Sequence, residues 1–178
     1  MNSDTEMLRL LSADGPLPEL RDRLMLFGQF VGSWDLEAFG YSRDGTRQDF
    51  IGEWHFGWIL AGRGIQDVLI VRPLAGNTEE GSNGGMGSTL RVYDPEMDAW
   101  WIGWMGPVDR EFSTLLARPS GDRIVLDGQW SLGQAGRRWQ WIFSDISLDS
   151  FHWECRAYDD GDPKGRVVEE MHARRAKT

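Results

Sequence analysis

The clearest alternation of apolar and polar positions runs from Phe50 to Arg72, where two β-rich runs flank Ala61-Gly62. A tight, glycine-tolerant turn at that dipeptide predicts a hairpin. Side chains alternate with period two along a strand, so this turn sets Leu60 opposite Arg63, Trp58 opposite Ile65, Phe56 opposite Asp67 and Trp54 opposite Leu69. One face then carries Phe50, Trp54, Phe56, Trp58, Ile65 and Leu69, and the other Glu53, His55, Gly57, Gln66 and Arg72. The aromatic face is the expected interior. Arg63 and Asp67 fall on it, and ionisable groups on an aromatic wall need a partner, a water or a ligand.

Residues 1–13 are polar and are expected to be flexible. Asp14 reads as a helix cap, Pro16 and Pro18 suit a first turn, and Leu20, Leu24, Phe27 and Val31 make an apolar stripe, so one helix is expected over 17–30. From Ser33 onward the pattern is short strands divided by turn residues: Ser33 to Tyr41, the two arms of the hairpin, Leu90 to Tyr93, Ala99 to Met105, Phe112 to Ala117, Arg123 to Ser131, Arg137 to Ile146, Phe151 to Tyr158 and Val167 to Arg174. That makes about ten strands in an all-β chain, the rhythm of an antiparallel barrel or sandwich. Residues 73–88 are the longest breaker-rich stretch and a candidate lid. No composition shift divides the chain, so 1–178 reads as a single domain with strands over 33–175.

Charge narrows the partners. Nineteen Lys and Arg against 28 Asp and Glu give a net charge of −9, and the ten tryptophans are not interleaved with a basic patch, which argues against nucleic acid. The first residues lack the basic start and apolar core of a signal peptide, and no apolar run approaches spanning length; the expectation is a soluble cytoplasmic protein with no membrane partner. The single Cys155 cannot form an internal disulfide and has no Cys or His neighbours at zinc spacing, so it reads as a small core residue on a strand.

The leading helix, Gly32-Ser33-Trp34 at the first strand, the meander and the closing Glu169-Glu170-Met171-His172-Ala173-Arg174-Arg175 resemble the lipocalin-like calycin barrels. Leu90-Arg91-Val92-Tyr93-Asp94-Pro95, Trp101-Ile102-Gly103-Trp104 and Ala173-Arg174-Arg175 are most similar to the DUF1579-type group. The resemblance implies a single antiparallel up-and-down β-barrel, with Trp34 at the closed end stacked under Arg174 or Arg175. Gly32-Ser33-Trp34 is also similar to the opening of haem-binding nitrobindin barrels, which would imply haem with His55, His152 or His172 as ligand. The residues themselves call for no cofactor and no metal.

Tryptophans 54, 58, 100, 101, 104, 130, 139, 141 and 153 are more aromatic bulk than barrel filling needs, and they suggest a cavity for a small hydrophobic, aromatic molecule. The expected ligand-binding set is Trp54, Phe56, Trp58, Arg63, Asp67, Trp104, Trp139 and Trp141. Four residues along a strand separate Arg63 from Asp67 by about 13 Å, too far for a direct pair, so each is expected to find its own partner. Asp67, Arg63 and His55 are the candidates for acid and base chemistry, which would make the protein a cofactor-independent isomerase, cyclase or lyase acting on an aromatic or polyketide-like substrate. His152 with Glu154 and Arg156, and His172 with Glu170 and Arg174, read as solvent faces. No Gly-x-Ser-x-Gly elbow or phosphate loop is present. Trp101 beside Trp100 suggests an outer patch where a homodimer would form.

Overall fold

Alternating burial along the strands closes the chain into a barrel. The computed structural model describes residues 3–74, 84–108, 110–132, 138–159 and 162–177, without the side chains of 3–5. Its ten antiparallel strands are β1 (Gly32–Tyr41), β2 (Arg47–Ile59), β3 (Gly64–Pro73), β4 (Met86–Asp94), β5 (Ala99–Gly106), β6 (Glu111–Ser120), β7 (Arg123–Ser131), β8 (Arg138–Ser144), β9 (Ser150–Tyr158) and β10 (Arg166–Arg175). Each pairs with the next in sequence, and β10 pairs with β1 to complete the circle. Closure leaves no sheet edge to aggregate. On β1, Trp34, Leu36 and Ala38 are buried while Asp35 and Glu37 are exposed. The core of residues 75–83, the centre of the candidate lid, lies outside the described residues.

The central hairpin has the expected register, with Trp54 opposite Leu69, Phe56 opposite Asp67 and Trp58 opposite Ile65. Its turn is tight: Ala61 and Gly62 have φ of 53° and 77°, and the Arg63 N–H donates to Leu60 O at 3.2 Å. Positive φ at both central residues is the type I′ geometry that matches strand twist. Gly62 is also pressed against the residues that lead into Pro18–Leu20, since a Cβ there would lie 2.3 Å from Gly15 O. The expectation for Arg63 is corrected here. Leu60, too, has positive φ (52°), so the pleat ends at the Ile59–Gly64 pair and Arg63 lies exposed in the turn, off the aromatic wall.

The helix expected over 17–30 is a 3-10 turn, Pro18–Leu20, followed by α2 (Arg21–Gly28); neither has a side-chain cap, so Asp14 does not serve as one. Helix α2 stops one end of the barrel with Leu24, Phe27 and the following Phe30 almost fully buried. Phe27 meets Trp100 edge-on at 5.0 Å, and Phe30 meets Phe151 at 4.9 Å. Below them the Trp34 indole donates to Phe30 O at 2.7 Å, and the Arg175 guanidinium lies 4.1 Å from the Trp34 ring. Arg175 also donates to Val31 O, Gln29 O and Leu148 O, tying the last strand to the plug. The arginine under the motif tryptophan is therefore Arg175; Arg174 is exposed beside Asp35.

Residues 3–13 depart from the flexible tail expected over 1–13, because α1 spans Ser3–Leu11. An Arg9–Glu6 ion pair at 2.7 Å supports it, and the Leu60 and Ala13 N–H groups bond to Leu11 O and Trp58 O, docking the segment on the hairpin. Among the described residues no helix is long and apolar enough to cross a membrane.

Candidate functional site

Packing is uneven along the barrel axis: the end under α2 is filled, and the opposite half is hollow, opening to solvent through two lobes of about 320 and 450 Å³ that share Leu69, Trp104, Glu111, Val168, Glu169 and Met171 as walls. Inward positions of four strands, β2, β5, β8 and β9, bring Trp54, Trp104, Trp139, Trp141 and Trp153 to the smaller lobe. Gly128 on β7 makes room for one of them, because a Cβ there would lie 2.2 Å from the Trp139 ring. The indoles meet in sequence, Trp104 to Trp141 at 6.0 Å, Trp141 to Trp153 at 5.6 Å and Trp153 to Trp54 at 6.2 Å, all tilted or edge-on. Such a lining offers apolar contact in several planes.

Polar groups on this wall differ in their bonds. Trp104 donates its N–H to Glu111 at 2.9 Å, and Ser113 and Ser131 bond to each other at 2.8 Å. The indole N–H groups of Trp54 and Trp153 are buried with no protein acceptor. Stranding a buried donor costs about 1–3 kcal/mol, so both are positioned to gain from an acceptor in the cavity. Arg43, Arg138 and Arg166 stand at the mouth, Arg138 lying 4.3 Å from the Tyr158 ring.

Cys155 also faces the cavity. Burial pushes its thiol well above the ordinary range; Glu169 and, less strongly, Glu111 add to this, against a hydrogen bond with Trp141. The thiol therefore stays protonated at neutral pH and is a poor nucleophile. The sign on stability follows: with the folded pKa raised, the unfolded chain loses this proton first, so the thiol's contribution is complete below its ordinary pKa and is lost as pH rises through the folded value. Iodoacetamide at pH 8 is expected to alkylate Cys155 at least about tenfold more slowly in the native protein than in urea; comparable rates would place the thiol in solvent.

Of the residues expected to bind ligand, Trp54, Trp104, Trp139 and Trp141 line the cavity. Phe56 and Trp58 are instead packed at the closed end, Phe56 against Phe30 at 5.8 Å and Trp58 against Gly28 of α2. Asp67 does face inward, but it is fully engaged: its carboxylate pairs with buried Arg91 and accepts the Thr89 N–H at 3.1 Å. Arg91 lies between the rings of Phe27 and Phe56 at 5.3 and 5.2 Å. Asp67 and Arg91 thus form an ion pair beneath the cavity, not an open anchor. His55 is on the outer surface, held by Ser33 at 2.9 Å and Glu53 at 3.0 Å. That imidazole, and then Arg72, holds the Glu53 carboxyl below its usual range. Asp67, Arg63 and His55 are therefore not brought together in the cavity.

Sequence reading missed Glu111 and Glu169 on the cavity wall and Arg91 beneath it; Trp153 stood among the nine cavity tryptophans but outside the expected binding set, and Cys155 was expected only as a core residue. On β4 the signal was inverted, because Leu90 and Val92 point outward while Thr89 and Arg91 are buried. The three histidines all belong to outer-face networks. A haem held by an axial histidine does not fit this donor set, and no chemistry is derived through one.

No family model matches the chain, and no curated protein does. Solved structures do. Rv2717c from M. tuberculosis superposes with a TM-score of 0.60 at 15% identity, covering 91% of this chain and 99% of that one. The S-type phycobiliprotein lyase CPES from Guillardia theta gives 0.55 at 11% identity, covering 86% and 92%. At such identities the likeness concerns architecture, and with the closed ten-strand meander it gives this chain the fold of a calycin-like barrel.

Proposed function

We propose that the protein binds a small aromatic molecule in the tryptophan-lined half of the barrel. The observation that carries this is the pair of buried, unpartnered indole N–H groups on the wall of a cavity lined by five tryptophans. A carbonyl, phenolate or carboxylate oxygen on the guest would satisfy them, while its ring system would lie against Trp141 and Trp104. A lobe of about 320 Å³ is of the size that holds one such molecule. The arginines at the mouth suit a guest with a second, negatively charged end. The architectural likeness to a phycobiliprotein lyase is compatible with small-molecule binding.

Catalysis in the same space is the second reading, favoured by one observation: Glu111 and Glu169 both act on the Cys155 thiol, so two carboxylates converge on one part of the cavity wall, where both also reach solvent. An isomerase or lyase would use them as acid and base. Titrating the protein with naphthoate and related aromatic acids tests both. The expected result is saturable quenching of tryptophan emission with one guest per chain. Emission unchanged across the series would remove the binding reading; a guest consumed by wild type but only bound by Glu111→Gln or Glu169→Gln would favour the enzyme.

A further inference from the structure

Outside the wall that carries Trp153 and Met171 on its inner side, β9 and β10 set two histidines side by side. His152 and His172 are opposite each other in the ladder, and their rings stack at 4.8 Å and 30°. Glu170, two residues before His172, shares that outer face and approaches His152 Nε2 at 3.3 Å. One donor atom from each of the three lies within 4.8 Å of the others. We propose that His152, Glu170 and His172 form a site for one divalent transition-metal ion on the outer face of the barrel.

Three features support it. The donors are two imidazole nitrogens and a carboxylate oxygen on rigid strands, a set that suits zinc, nickel or copper; magnesium and calcium take oxygen ligands instead. Their orientation is fixed from behind: Ser144 Oγ lies 3.2 Å from His152 Nδ1, the Tyr41 hydroxyl donates to the second Glu170 oxygen, and the Phe39 ring meets His172 edge-on at 5.9 Å. A metal-binding histidine ordinarily has its other nitrogen held in this way. Nearby charge is also favourable, because Glu37 faces His172 across the β1–β10 ladder, while the neighbouring Glu154 is neutralised by Arg156 at 3.1 Å. Closing the donors to the spacing of a tetrahedral ion, about 3.3 Å, takes small side-chain rotations. Water would complete the coordination.

The test is titration of the full chain with Zn²⁺, with Mg²⁺ as the negative control. One Zn²⁺ per chain is expected, His152→Ala and His172→Ala each weakening it at least about tenfold and Ser144→Ala, a positioning change, by a smaller factor. His55→Ala and Cys155→Ala should leave it unchanged. In wild type, NMR signals of the His152 and His172 rings should shift on adding Zn²⁺ and those of His55 should not, which decides the matter even if a variant folds poorly. Absence of binding, an equal loss in His55→Ala, or unshifted His152 and His172 signals would overturn the proposal.

Discussion

Arg91→Met is expected to destabilise the fold by about 3–5 kcal/mol, the largest loss from any single change outside the aromatic core. Arg91 and Asp67 are both fully buried, and the substitution leaves the Asp67 carboxylate with only the Thr89 N–H for support. Asp67→Asn should cost a similar amount, because Arg91 already has two unbonded nitrogens and would lose its anion as well. The methionine–asparagine double variant should lose less than the sum of the two, the signature of a direct pair. Against a total stability of about 5–15 kcal/mol, either single change will be plain in a denaturant midpoint. Affinity for an aromatic guest in the remaining folded protein should stay within about twofold, since a loss smaller than about 0.4 kcal/mol is expected from residues that do not line the cavity. An affinity loss with full stability would mean that the pair recognises ligand.

The second large effect concerns binding. Trp54→Phe and Trp153→Phe keep an aromatic ring on the wall but delete the unpartnered N–H, and each should weaken naphthoate binding by about 1–3 kcal/mol, roughly 5- to 150-fold. Naphthalene has no acceptor, so its affinity should respond far less. Trp101→Phe is the control: Trp101 points outward with its N–H on Asp94 at 3.2 Å, and its replacement should change neither ligand. Equal losses for naphthalene and naphthoate would reduce the role of the two indoles to shape.

How far the site could be read in advance depended on where the pleat is regular. Alternation and the Ala61-Gly62 turn were enough for the hairpin register, and hence for Trp54 and the inward direction of Asp67. Arg63 escaped because the reversal begins at Leu60, one residue before the glycine-tolerant dipeptide, and alternation stops there. Asp67 was recognised as needing a partner, but Arg91 was hidden by flanking Leu90 and Val92, which make the outward face of β4 look like the core face. Phe56 and Trp58 share a face with Trp54, yet sequence pattern carries no information on depth along the barrel axis. Depth is set by α2, which fills one end and leaves Trp54 as the lowest tryptophan with access to the cavity. The helical order of α1 depends on backbone bonds to the hairpin, contacts that local composition does not contain.

The most direct test of the account is the indole ¹H–¹⁵N spectrum of the protein during titration with naphthoate. The N–H signals of Trp54 and Trp153 should move downfield together and saturate at one guest per chain, while those of Trp101 and Trp130, both about half exposed on the outside, stay fixed. Shifts confined to Trp101 and Trp130, or a bound guest that leaves Trp54 and Trp153 unmoved, would contradict it.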